Sequence, residues 1–88
     1  GLTKTAALEF AEKNIRVNAV CPGPIMTPML ERLIATEKDF KKQIIAGVPQ
    51  HKIGQPENVA DVILFLCSAQ ASYITGQYLA IDGGWVAQ

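Results

Sequence analysis

The groups in this sequence placed to do chemistry are two cysteines, one histidine, a carboxylate ahead of two glycines, and a threonine behind a Pro-Gly-Pro turn. Cys21 and Cys67 could be nucleophiles or metal ligands. Neither lies in a Cys-x-x-Cys or Cys/His spacing, and Cys21 has no paired base, so both are expected to be buried thiols. His51 could be a general base, but no second ligand or nucleophile stands at a useful spacing, which predicts an exposed loop histidine. Asp82, followed by Gly83 and Gly84, is a lone carboxylate at a turn, the setting of an Asx-type cap rather than a metal site. Asn18, polar inside an apolar run, could touch a ligand; a buried amide tying neighbouring loops together fits better. Thr27 can hydrogen-bond a ligand, cap a helix, or do both, because a hydroxyl has one donor and two acceptor lone pairs. Spacing alone assigns no catalytic residue and no metal ligand.

The elements around these groups are marked more clearly. Gly1 to Lys13 is rich in helix formers and puts Leu2, Ala6 and Phe10 on one stripe, with Ala7 and Ala11 beside it. No capping residue precedes it, so Gly1 reads as the interior of a helix already under way. Ile15 to Cys21 alternates Ile15, Val17, Ala19 and Cys21 against Arg16, Asn18 and Val20, as a strand does, and Pro22-Gly23-Pro24 ends it. Two prolines fix φ on either side of a glycine that frees it, holding the backbone in one shape against whatever lies above.

Thr27 with Pro28 opens a helix whose apolar face is Met29, Leu30, Leu33 and Ile34; Thr36, with Asp39 three residues on, offers a second cap. A further helix runs through Phe40, Ile44 and Ile45 to Gly47, and residues 48–54 read as an exposed connection. Pro56 starts the best helix, with Val59, Val62, Ile63 and Leu66 at core spacing and Glu57 in the first turn. Gln77 to Ile81 is a second strand. Strands joined through helices predict an α/β fold with a parallel pair, which needs cover on both faces and leaves an unpaired edge. Cover is therefore expected from an upstream portion of fold.

The 88 residues are 49% hydrophobic and suit one soluble unit. A domain this small buries only about 60–65% of the surface its unfolded chain exposes, so marginal stability is expected without a partner. Eight Lys and Arg balance eight Asp and Glu with no basic run, which removes the electrostatic case for nucleic acid or an anionic membrane. The longest apolar run, Val62 to Cys67, falls far short of the roughly 20 residues a spanning helix needs, and no leader opens the chain. A cytoplasmic protein is the expectation.

The stretch Ile15-Arg-Val-Asn-Ala-Val-Cys-Pro-Gly-Pro-Ile-Met-Thr27, followed about fifty residues later by Ile74-Thr-Gly-Gln-Tyr-Leu-Ala-Ile-Asp-Gly-Gly84, resembles the short-chain dehydrogenase/reductase family. Gly1-Leu-Thr-Lys with Ala7-Leu-Glu is similar to the helix after that family's Tyr-x-x-x-Lys, and Gly54-Gln-Pro-Glu-Asn-Val-Ala to its entry into the last core helix. The resemblance covers nearly the whole chain as one unit, residues 1–88. It implies the C-terminal third of a Rossmann-type, doubly wound parallel sheet, with Ile15–Cys21 and Gln77–Ile81 as the last two strands. It also implies that Pro22, Gly23 and Ile25 lie against the nicotinamide of NAD or NADP, the Ile25 backbone holding the carboxamide and the Thr27 hydroxyl bonding nearby. Residues 26–50 match a mobile substrate lid, where Met26, Met29, Leu30, Leu33 and Ile34 would meet a small carbonyl or alcohol substrate; for Met29 and Leu33 a core role remains equally open. The opening helix and the last helix and strand match subunit contacts, implying a homo-oligomer.

The departures from the pattern are as informative. The chain has no Gly-rich turn after a first strand, no acidic or basic ribose selector, and no Tyr-x-x-x-Lys, since Tyr73 is followed four residues on by Gln77. Family order puts the catalytic pair roughly a dozen residues before Gly1. Two expectations follow: an NAD(P)-dependent oxidoreductase whose hydride machinery lies upstream, inactive as this chain alone, or a non-enzymatic α/β module that associates with itself to hide its uncovered faces.

Overall fold

The computed structural model describes residues 1–88 as helix α1 (Leu2–Phe10), strand β1 (Ala19–Pro22), helices α2 (Pro28–Thr36), α3 (Phe40–Gly47) and α4 (Pro56–Leu66), and strand β2 (Tyr78–Ile81). Short 3₁₀ turns cover Ala11–Lys13, Ala69–Ala71 and Trp85–Ala87. The two strands pair in parallel, Ala19 with Tyr78 through Pro22 with Ile81, so the α/β reading and the crossover through helices hold. Each strand has one unpaired edge.

The first strand is shorter than the alternation of Ile15 to Cys21 predicts. β2 starts only at Tyr78, and before it the chain turns at Gly76, whose N–H donates to the Val17 carbonyl at 2.7 Å. The Val17 N–H donates to the Thr75 hydroxyl at 3.0 Å, so residues 15–18 run beside a turn instead of a strand. Asn18 secures this join as expected: its amide donates to the Ile74 carbonyl and its carbonyl oxygen accepts from the Gln77 N–H, both at 3.0 Å.

The helices begin largely where their caps predict. Thr27 accepts from the Leu30 N–H at 3.2 Å with Pro28 at the first position of α2. At α4 the Gln55 N–H donates to the Asn58 side chain at 2.7 Å, ahead of Pro56 and Glu57. Thr36 is not a cap; it ends α2, its hydroxyl turned back on the Arg32 and Leu33 carbonyls, and Asp39 stands before α3. The Gly1 carbonyl accepts from the Thr5 N–H at 3.2 Å, so Gly1 takes part in the first turn of α1.

Coverage departs from expectation more than the elements do. Ala7, Val48, Ile53 and Ala71 are the only buried residues. Val48 and Ile53 lie in the connection read as exposed; at Val48 the last residues of the chain close over it. Leu2 is 85% exposed, and α4, read as a core helix, has no buried residue: Val59, Val62 and Leu66 are half-covered while Ile63, Leu64 and Phe65 are exposed. Cys21 and Cys67 are exposed rather than buried, Cys21 at the end of β1 and Cys67 at the close of α4. No helix is long and apolar enough to cross a membrane.

Candidate functional site

Because β1 and β2 are parallel, their carboxyl ends lie together, and the chain leaves β1 there through Pro22-Gly23-Pro24. The ladder extends one step beyond the strands, the Gly23 N–H donating to the Ile81 carbonyl at 2.9 Å. Gly23 is needed for proximity: a Cβ on it would lie 2.7 Å from the Asp82 Cβ and 2.8 Å from the Asp82 Cα.

The loop is then fixed from a second side by a residue more than two dozen positions downstream. The Gly54 N–H donates to the Pro24 carbonyl at 2.9 Å, and the Gly54 carbonyl accepts from the Met26 N–H at 2.8 Å. This parallel bridge uses both main-chain groups of Gly54 and neither of Ile25. Peptide groups alternate along an extended segment, so the Ile25 N–H and C=O point away from Gly54, side by side, and make no hydrogen bond within the chain. A donor and an acceptor in that arrangement match a primary carboxamide, which offers one C=O and one NH₂ in the same plane.

Thr27 follows at the surface. Its oxygen is engaged as the cap of α2, leaving the O–H proton available to an acceptor above the loop. Met26 and Leu30 are half-buried, Met29 is 64% exposed and Leu33 is also exposed, so residues 26–33 present apolar side chains at the same end of the sheet instead of sealing them in a core. A cleft of about 590 Å³ reaches Pro24, Ile25, Gly54 and Asp82 but none of Thr27, Met29, Leu30 or Leu33. A smaller one lies between Pro22, Gly23 and Trp85. Neither is a closed pocket on the Thr27 side; what the loop presents there is an open platform.

The remaining polar groups serve the backbone. The Asp82 carboxylate accepts from the Gly84 N–H at 3.0 Å and the Val86 N–H at 3.1 Å, an Asx-type cap as its sequence setting predicts. His51 is exposed at a turn with φ 56°, and Tyr73 is fully exposed. Sequence reasoning missed Gly54 as a partner of the loop; the Gly-x-Pro ahead of α4 marks a helix entry but says nothing of where that glycine's main chain bonds.

A parallel pair, helical crossovers and a rigid loop leaving the carboxyl end define the closing part of a doubly wound, Rossmann-type α/β sheet. A family model described as enoyl-(acyl carrier protein) reductase matches residues 1–86, and the chain belongs to the short-chain dehydrogenase/reductase family. It is 51% identical over 86 residues to the 3-oxoacyl-[acyl-carrier-protein] reductase FabG of Thermotoga maritima, covering 98% of this chain and 34% of that protein. Among solved structures, ElxO with NADP bound superposes with a TM-score of 0.93 at 43% identity, over all of this chain and 36% of ElxO. A 4-hydroxyisoleucine dehydrogenase complexed with NADH gives 0.91 at 40%, again over the whole chain and 36% of its partner. The chain thus spans about a third of the length of these relatives.

Proposed function

We propose that this chain is the nicotinamide-side and substrate-side part of an NAD(P)-dependent oxidoreductase that interconverts an alcohol and a carbonyl. The carrying observation is Ile25: a free N–H and C=O held side by side at the carboxyl end of a parallel strand by the Gly54 bridge. In this reading Pro22 and Gly23 shape the platform, the Ile25 main chain orients the carboxamide, and Thr27 donates its remaining proton nearby. Met26, Met29, Leu30 and Leu33 form the apolar wall that a small carbonyl or alcohol substrate meets, on a lid of residues 26–50. The bound nicotinamide supplies the hydride chemistry. The chain's own groups bind and orient; among them no tyrosine has a lysine four residues on to serve as the proton donor of the family pattern, so the 88 residues alone are inactive.

The test is twofold. Titration of the full-length protein with NADH and NADPH should give a dissociation constant that Thr27→Val weakens about tenfold and Thr27→Ser largely preserves. Failure of either cofactor to bind would overturn the reading. The 88-residue chain, assayed with acetoacetyl-CoA as a generic 3-oxoacyl thioester, should give no turnover; measurable turnover would refute the inactivity. A second reading, a non-enzymatic module that pairs with itself, is favoured by the exposed Leu2, Leu8, Ile63, Leu64 and Phe65, and is distinguished by association state.

A further inference from the structure

The segment carrying Met29, Leu30 and Leu33 has two roots. One is Met26, held by Gly54. The other, Gly47 to Gln50, is held by the last residues of the chain. The Gln50 N–H donates to the Gly83 carbonyl at 3.0 Å, and the Gln88 side-chain amide donates to the Gly47 carbonyl at 2.9 Å. Gly83 and Gly84, at φ 64° and 98°, bring the tail into contact with Val48 and Pro49, and a Cβ on Gly83 would lie 2.6 Å from Val48 Cγ1. Val48 is 1% exposed as a result, the largest fully buried side chain of the molecule.

Trp85 completes this seam. Its ring lies so near Gly47 that a Cβ there would sit 2.7 Å from Cζ3 and 3.1 Å from Cη2. Gly47 ends α3 without a positive φ, so backbone freedom does not explain the glycine; room for the indole does. Gly47 does close α3, as its place in the sequence predicts. The Asp82 carboxylate, bonded to the Gly84 and Val86 N–H groups, fixes the turn from which the ring is presented.

We propose that Trp85 is a positioning residue for the substrate segment: seated over Gly47, it anchors the return root of residues 26–50, so that α2 and the start of α3 move against a fixed base. This rests on the reading of residues 26–50 as the lid. Trp85 also borders the small cleft beside Pro22 and Gly23, so an unchanged cofactor dissociation constant in its variants is what separates an anchor of the segment from a part of the platform.

The experiment uses the full-length protein with Gly47→Ala, Trp85→Leu, Trp85→Phe and the double variant Gly47→Ala/Trp85→Phe. A methyl on residue 47 fills the space that the outer indole ring vacates in Trp85→Phe, so the double variant should restore what Gly47→Ala loses. Amide hydrogen exchange over residues 40–47 should quicken about tenfold in Gly47→Ala and in Trp85→Leu, and return toward wild type in the double variant. KM for acetoacetyl-CoA should rise about tenfold in the same two variants, while kcat and the cofactor dissociation constant stay within about twofold. Alanine is the better helix former, so Gly47→Ala should lower the melting temperature beside Trp85 and raise it in the Trp85→Phe background. Unchanged exchange in Gly47→Ala, or an equal defect in both backgrounds, would overturn the proposal. A wild-type protein that binds no nicotinamide cofactor instead removes the enzymatic reading, and exchange over residues 40–47 still decides the anchor.

Discussion

Thr27 and Asp82 are both polar residues whose oxygens serve nearby N–H groups, yet they differ in what their loss should do. Thr27 caps α2 from an exposed position, so Thr27→Val removes one acceptor for the Leu30 N–H and should cost about 1 kcal/mol in a urea unfolding series. Thr27→Ser should restore that stability, since the hydroxyl alone makes the bond. Asp82 is half-buried and accepts two N–H bonds with a charged group, so Asp82→Ala should cost roughly 1.5–3 kcal/mol and release the Trp85 turn as well. Calorimetry of the two variants orders them; equal losses would mean that the charge and the second bond of Asp82 add nothing beyond a single neutral cap bond. Both roles follow from residue type and local setting, and both were legible in the sequence. The free main-chain groups of Ile25 were not legible from spacing, because what frees them is a bond pattern made by Gly54, and a backbone partner leaves no signature in side-chain type.

The elements sort the same way, into those built by nearby residues and those set by distant ones. Helices α2 and α4 follow from Thr27-Pro28 and from Pro56 with its apolar stripe, local signals that tertiary packing leaves in place. The length of β1 is set by where β2 begins, near sixty residues on, and the burial of Val48 by Gly83, so neither could be read from its own neighbourhood. The Thr36 cap failed for a local reason of another kind: a threonine hydroxyl in a last helical turn can bond the carbonyls behind it as readily as the N–H groups ahead. Glycines at the loop make a sharp test of distant contact. A Cβ on Gly54 would meet the Ile25 Cδ1 at 2.7 Å, the end of a side chain that can swing aside, whereas a Cβ on Gly23 would meet the Asp82 Cα and Cβ. Gly23→Ala should therefore cost about 1–3 kcal/mol through overpacking while Gly54→Ala costs less. Chemical denaturation of the full-length protein checks the order, and Gly54→Ala proving the worse of the two would mean that the bridge, not the strand ends, is the rigid partner.

At the scale of the molecule the surprising quantity is shape. A compact domain of this length has a radius of gyration of about 12 Å. This chain has 16.0 Å, with extents of 51 × 24 × 20 Å, and four buried residues cannot supply a core. Each Leu, Ile or Phe left in water forgoes about 1.5–3 kcal/mol of burial, and Leu2, Leu8, Ile63, Leu64 and Phe65 lie exposed on α1 and α4. Conformational entropy opposes ordering these helices at about 1–2 kcal/mol per residue, so a monomer with such faces in water is not expected to hold this arrangement. Either a longer polypeptide covers them, as the one-third coverage of relatives suggests, or copies of the chain cover one another. The isolated 88 residues should accordingly show a scattering mass that rises with concentration in the micromolar range, and the emission of Trp85, the chain's single tryptophan, should shift with it. Leu64→Lys should move the chain toward monomer and disorder, because a charge on the 69%-exposed centre of the α4 patch cannot be buried at low cost. A monomer at all concentrations that unfolds cooperatively and is indifferent to Leu64→Lys would show instead that α1 and α4 are stable in water without cover, and would remove the physical ground for treating their apolar faces as interfaces of any kind.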